Sequence, residues 1–174
     1  MKKLIAMVAI VGVVALAGTA HAGGVGLRAV GIDAGYVSPD NIDGTWTAGF
    51  NMDFGVPMAN VYFQPFVNYW KFTETVLSID ASLADIAYGA SVKYIIPTAA
   101  PTVQPFVGAG AAAHRLTAAI DGFGDVTDTK FGYHFGGGVQ VGVAERMNIV
   151  GQGWYTLVED LNQWSVRGGF SWTL

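Results

Sequence analysis

Eight segments that alternate apolar with polar residues, a charged content of only 13% beside 24 glycines, and a last segment ending on three large apolar side chains predict an all-β chain. The fold class is an eight-stranded antiparallel up-and-down transmembrane β-barrel preceded by a cleavable signal peptide. The alternation is clean in "NQWSVRGGFSWTL": Trp164, Val166, Gly168, Phe170, Trp172 and Leu174 fall on one parity, Ser165, Arg167, Gly169, Ser171 and Thr173 on the other. Apolar residues reach 52%, and the charged share is about half the roughly 25% of a typical soluble chain, so water is not the only expected solvent.

Lys2 and Lys3, the apolar run Leu4 to Ala17 and the small-x-small ending Ala20-His21-Ala22 match a cleavable secretory leader better than a spanning helix of about 20 residues. The expected division is therefore 1–22 signal peptide and 23–174 barrel domain. No Cys is present, so neither disulfides nor a lipid-attachment thiol are expected. Without Lys2 and Lys3, seven Lys and Arg face thirteen Asp and Glu, a net charge of −6. That balance excludes nucleic acid as a partner, because phosphate binding needs a basic surface.

The segments are expected at 25–37, 44–56, 60–72, 84–96, 102–115, 129–143, 147–157 and 163–174, most of them long enough to cross a bilayer as tilted strands. In the first, Arg28 and Asp33 have opposite parity and cannot both face inward without a bulge, expected near Gly31. In the second, Trp46, Ala48, Phe50, Met52 and Phe54 oppose Thr45, Thr47, Asn51 and Asp53. The third and fifth both open on "QPFV" (64–67 and 104–107), which puts Gln and Phe inward and Pro and Val outward, with each Pro near the inner rim, at a strand start or a bulge. In the fourth, Ser91 and Lys93 share the inward parity. In the sixth, Phe131, Tyr133, Phe135, Val139 and Val141 oppose Lys130, His134 and Gln140 among glycines. Tyr155 marks the outward parity of the seventh. The links "VPMAN", "PTAAPT" and "AERMN" are short, those around 38–43, 73–83 and 116–128 are longer, and 158–162 is short. Asp40, Asp43, Glu74, Asp80, Asp121, Asp125, Asp128, Glu159 and Asp160 all fall in the second set, and Glu145 alone falls in the first.

A leader, eight alternating segments, short turns on the terminal side and a last strand closing on aromatics resemble the small eight-stranded outer-membrane β-barrel family of Gram-negative bacteria, the OmpA-transmembrane-domain and OmpX-like barrels. The resemblance covers the mature chain. It implies location in the outer membrane with both termini periplasmic, contact with outer-membrane lipid and lipopolysaccharide, and recognition of the final strand by the outer-membrane insertion machinery. The assembly signal would be Phe170, Trp172 and Leu174, where the family's pattern ends on Phe. A soluble lipocalin-like barrel would reverse the faces and crowd more aromatic rings into the lumen than eight strands hold.

With the apolar parity outward, Trp46, Tyr69, Tyr88, Tyr133, Tyr155 and Trp164 form one aromatic girdle, and Phe54, Phe63, Tyr94 and Trp172 the other. The lumen is expected to be filled by side chains, with Tyr62, Phe66 and Trp70 fitted against small residues of the fifth and sixth strands. Its ion-pair candidates are Asp33, Asp53, Lys93 and Arg167, with Asp33 opposite Arg167, since an unpaired buried charge costs several kcal/mol. His114 and His134 share the inward parity near the loop end, but their spacing matches no metal signature, and no metal or cofactor is expected. Ser165 and Ser171 have no neighbouring His, and the His-x-Ser-Asn pattern of outer-membrane lipid A deacylases is absent. The expected function is non-enzymatic, structural or exercised by the acidic outer loops on a partner the residues do not name. The alternative is a narrow channel for small solutes, apolar ones among them, across the outer membrane.

Overall fold

The computed structural model describes residues 25–76, 79–100, 102–122, 124–159 and 161–174, so the expected leader and Asp160 lie outside the described residues. Eight strands follow in chain order: β1 Gly26–Pro39, β2 Thr45–Gly55, β3 Val61–Val76, β4 Ile79–Ile95, β5 Val103–Ile120, β6 Gly124–Ala144, β7 Met147–Val158 and β8 Gln163–Thr173. Each pairs antiparallel with the next, and β1 pairs with β8, closing the barrel. Closure leaves no sheet edge within the barrel wall, the condition for strands to survive in hydrocarbon. The near end carries Gly26, Thr173 and the turns 56–60, 96–102 and 145–146; the far end carries the other four connections.

Within the wall the alternation sorts the side chains as expected. Odd positions of β1 from Leu27 to Val37, odd positions of β8 and even positions of β5 to β7 turn inward, while Phe50, Phe63, Val67, Tyr88, Phe135, Val139, Val166 and Phe170 are exposed on the outside. Two features of the expected trace are corrected. The β1 bulge lies between Leu27 and Ala29, around Arg28, and not near Gly31. Asp33 shares the inward odd parity, and Arg28 falls on the other. Asp33 lies opposite Gly169, and Arg167 opposite Gly35, two residues from the expected pairing. The alternation determines strand facing but leaves even shifts of register open.

The larger correction concerns the far end. The expected links 73–83 and 116–128 are mostly strand, reduced to connections at 77–78 and 121–123. Glu74, Asp80, Asp125 and Asp128 are strand residues. These stretches lose the alternation because both of their faces meet water, and a two-sided wet hairpin has no apolar face to display. Cross-strand bonds hold them instead, Thr75 Oγ1 donating to Asp80 Oδ1 at 2.6 Å and the hydroxyls of Thr117 and Thr127 meeting at 3.1 Å. Gly122 in the second connection and Gly124 at the first position of β6 take φ values of 81° and 92°, where a β-carbon would be strained. Pro105 lies near the start of β5, and Pro65 lies within β3 beside a stretch where the β2–β3 ladder breaks between Asn51↔Phe66 and Phe54↔Phe63.

Neighbouring positions on β6 should respond differently to one substitution. Val139 points outward, so Val139→Arg places a charge on the membrane face and is expected to cost about 2–4 kcal/mol if near the midplane. A β-carbon on Gly138 would lie 2.9 Å from Gln152 Cβ and against the Gly151 carbonyl, so Gly138→Arg should fail by overpacking, and Gly138→Ala should already be harmful. Val139→Ala should be tolerated. Urea midpoints of the refolded barrel in detergent check both, and equal tolerance of Val139→Arg and Val139→Ala would reverse the assigned faces.

Candidate functional site

The lumen is polar, and its groups fall into two clusters. Near the turns, Lys93 of β4 donates from Nζ to Asp53 Oδ2 of β2 at 2.8 Å and to Gln140 Oε1 of β6 at 3.3 Å. Gln64 donates to the other oxygen of Asp53 at 2.7 Å, and Gln140 Nε2 donates to Gln104 Oε1 at 2.5 Å. Both glutamines of the "QPFV" repeat therefore belong to this cluster. The Lys93 ammonium also lies 4.8 Å from the centre of the Phe106 ring. This cluster seals the near half of the lumen with satisfied charges.

Further along, Arg167 Nη1 donates to Asp33 Oδ1 at 3.1 Å and to Asn68 Oδ1 at 2.6 Å. Asn51 and Gln152 donate to Asp33 Oδ2 at 3.0 and 3.2 Å, and the Trp154 indole donates to Gln152 Oε1 at 3.0 Å. Donors from three strands thus converge on one carboxylate of a fourth. Gly169 backs onto Asp33, and Gly35 onto Arg167, where a β-carbon would meet backbone. The bulk that fills the lumen is not only Phe66 and Trp70 from β3. Trp154 of β7 is buried against Gly108 and Gly136, where a β-carbon would lie 2.9 Å and 3.0 Å from its ring. Its role was hidden in the sequence, because an inward indole needs facing glycines from strands whose adjacency the chain order alone does not reveal.

Two histidine pairs lie toward the far end. His114 Nδ1 is 2.8 Å from Asp85 Oδ2, and His134 Nε2 is 2.7 Å from Ser91 Oγ. The His134 ring stands edge-on between Phe66 and Trp154, with centroids 5.0 and 5.5 Å away. Asp85, 1% exposed, is the most buried of the inward acids and was missed at the expected strand boundary, although it shares the odd parity of Ser91 and Lys93. Acyl transfer needs a single imidazole between a hydroxyl and an acid. Here those contacts are divided between two imidazoles, both inside a packed lumen. Asp121, Asp125 and Asp128 lie on the projecting hairpin, and among the described residues no group of three or more His, Asp and Glu converges as a metal site.

Outside the barrel wall, β3 to β6 continue as a four-stranded sheet. Its ladders run to Val76↔Ile79, Ala81↔Ile120 and Ile120↔Gly124. On the β2 side the ladder starts only at Thr47↔Trp70, and on the β7 side only at Gly132↔Val158. Residues 71–76 of β3 and 124–131 of β6 are therefore edge strands beyond the wall. The sheet and its neighbouring connections carry Asp40, Asp43, Glu74, Asp80, Asp121, Asp125, Asp128 and Glu159 against Lys71, Arg115 and Lys130.

The ten aromatics expected in girdles all turn outward, and all are exposed except the half-buried Phe54. Trp46 at 77% is the most exposed. Tyr36 and Trp164, Phe135 and Tyr155, and Phe170 and Trp172 stack as tilted pairs with centroids 5.7–6.2 Å apart. Leu174 is exposed at the near end and donates its amide to the Arg28 carbonyl at 2.9 Å.

Residues 4–173 match the family model described as outer membrane protein beta-barrel domain. No curated protein matches the chain. Among solved structures, neisserial surface protein A superposes with a TM-score of 0.69 at 18% identity, over 84% of this chain and 96% of that one. The N-terminal β-barrel domain of Pseudomonas aeruginosa OprF gives 0.57 at 15% identity, covering 84% and 98%. Yersinia pestis Ail, crystallised with the heparin analogue sucrose octasulfate, gives 0.59 at 15% identity, covering 85% and 97%.

Proposed function

This chain belongs to the outer membrane protein β-barrel domain family, and from that premise we propose that it is a non-enzymatic outer-membrane protein that works through its projecting acidic sheet. Both termini would then be periplasmic and the sheet would face the exterior. The observation that carries this reading is the length difference between strands: β6 has 21 residues where β2 and β8 have 11, and residues 124–131, most of that excess, lie beyond the wall. A barrel needs no such excess to cross a bilayer. Its product is two unpaired edges, to which an extended segment of another chain can add as a further strand. Asp125 and Asp128 on the β6 edge repel a second copy of this chain, as edge charges commonly do, and select a basic segment. The sign is wrong for a polyanion of the kind present in the Ail crystals.

The lumen supports the same reading, because the buried ion pairs Lys93–Asp53 and Arg167–Asp33 stand across the way of a solute. The purified barrel should bind a cationic peptide of alternating Lys and Thr at low salt, more weakly as salt rises, and should show no steady single-channel conductance. Asp125→Lys combined with Asp128→Lys should lower the affinity at least tenfold, whereas Glu145→Lys in a near-end turn should not. Peptide binding indifferent to the β6 reversal, or a sustained conductance, would overturn the proposal.

A further inference from the structure

Among the described residues, six buried side-chain atoms have no hydrogen-bond partner in the protein: Trp70 Nε1, Asp85 Oδ1, His114 Nε2, His134 Nδ1, Gln163 Oε1 and Arg167 Nε. They come from β3, β4, β5, β6 and β8, and all six residues line one cavity of about 50 Å³ in the far half of the lumen. Each of these side chains is at least nine-tenths buried. Buried polar atoms without partners are rare in folded proteins, and their gathering round one cavity marks a shared ligand.

The identity of these atoms restricts what that ligand can be. Trp70 Nε1 and Arg167 Nε only donate, and Asp85 Oδ1 and Gln163 Oε1 accept. The two imidazole nitrogens donate or accept according to tautomer. A metal cation would face an indole N–H and a guanidinium, and an anion would face a carboxylate. The ligand must donate and accept in several directions at once, and a cavity of at least about 10–15 Å³ is needed to hold one water, so this one is roomy enough for more than one.

We infer that this cavity is a binding site for a small cluster of water molecules that joins the Asp85–His114 pair, the Ser91–His134 pair and Arg167 into one network. The near half of the lumen is then closed by direct side-chain bonds and the far half by water. The network connects the Asp85–His114 pair, the Ser91–His134 pair and the Arg167–Asp33 cluster, which the side-chain bonds described above leave separate, and it lets both imidazoles exchange protons with the water cluster.

The test uses the full barrel in lipid nanodiscs, with NMR cross-relaxation between water and side-chain N–H protons. The Trp70 indole proton should show cross-peaks to long-lived water, and a crystal structure of the same protein should place ordered water within about 2.7–3.2 Å of the six atoms. Ala112→Leu, which fills the cavity from β5, should remove the Trp70 cross-peak, whereas Ala109→Leu on the outward face of the same strand should keep it. If the parent barrel shows no water cross-peak at Trp70, or if the six atoms prove to bond directly to one another, the inference fails. It fails equally if anomalous scattering after a zinc soak places a metal between His114 and His134. Should Ala112→Leu not assemble, the parent measurements still decide.

Discussion

Removal of Trp172, Thr173 and Leu174 is expected to abolish assembly. These residues hold the near end of β8 between its two neighbours, with Trp172 opposite both Val30 and Met147 and Thr173 opposite Ala29. Thr173 also donates to the Arg146 carbonyl at 2.8 Å, and Leu174 to that of Arg28 at 2.9 Å. Without them β1 and β7 present open backbone groups at the membrane boundary, each costing several kcal/mol where no water reaches. A fair control deletes two facing pairs from the projecting hairpin, Ala118 and Ala119 with Asp125 and Val126, which shortens it while preserving parity. That variant should insert normally. Leu174→Phe should be neutral or slightly favourable. The readout is the fraction of protein in outer membranes that resists protease and stays compact without boiling, and normal insertion of the three-residue truncation would remove β8 from its closing role.

Lys93→Met should destabilise the barrel by about 3–5 kcal/mol, the range for stranding one partner of a buried ion pair. Lys93 and Asp53 are both nearly inaccessible, and with the ammonium gone the carboxylate keeps only the Gln64 amide among the side-chain donors described above. Arg167→Met should cost less, because Asp33 still accepts from Asn51 and Gln152. Combining Lys93→Met with Asp53→Asn should recover part of the loss, and strictly additive losses in the double-mutant cycle would show that the two charges do not interact. Refolding in detergent, followed by urea titration, measures all four proteins.

The wall was legible in the sequence because lipid and a polar lumen impose opposite demands on alternate residues, so Phe50 beside Asn51, or Val139 beside Gln140, declares a strand and its facing together. The ion-pair candidates were legible for the same reason: Asp33, Asp53, Lys93 and Arg167 lie on lumen parity and have no alternative but to meet. Their partners by register were not, since sliding β8 by two residues against β1 leaves every facing unchanged. The projecting sheet was unreadable by this criterion, because Thr73 to Thr75 and Asp125 to Thr129 have water on both sides. Asp85 was lost with it, as its strand begins at Ile79 and not at 84. The orphaned atoms around the far cavity depend on five strands at once, and no pattern within a single segment encodes such a meeting.

The bond between Arg167 and Asp33 also bears on the order of events in folding. It joins positions 134 apart in the chain, whereas the Thr117–Thr127 contact joins positions 10 apart. Loop-closure entropy scales with the logarithm of that separation, which makes the β1–β8 contact about 2 kcal/mol harder to nucleate than the hairpin. Hairpins should therefore register early and the seam last, with the carboxylate of Asp33 taking its β2 donor Asn51 in the first hairpin and those from β7 and β8 only as the seam closes. Interactions that form after the rate-limiting step act on the way out and not on the way in. Weakening the Asp33 cluster should then shorten the lifetime of the inserted barrel while leaving its folding rate nearly unchanged.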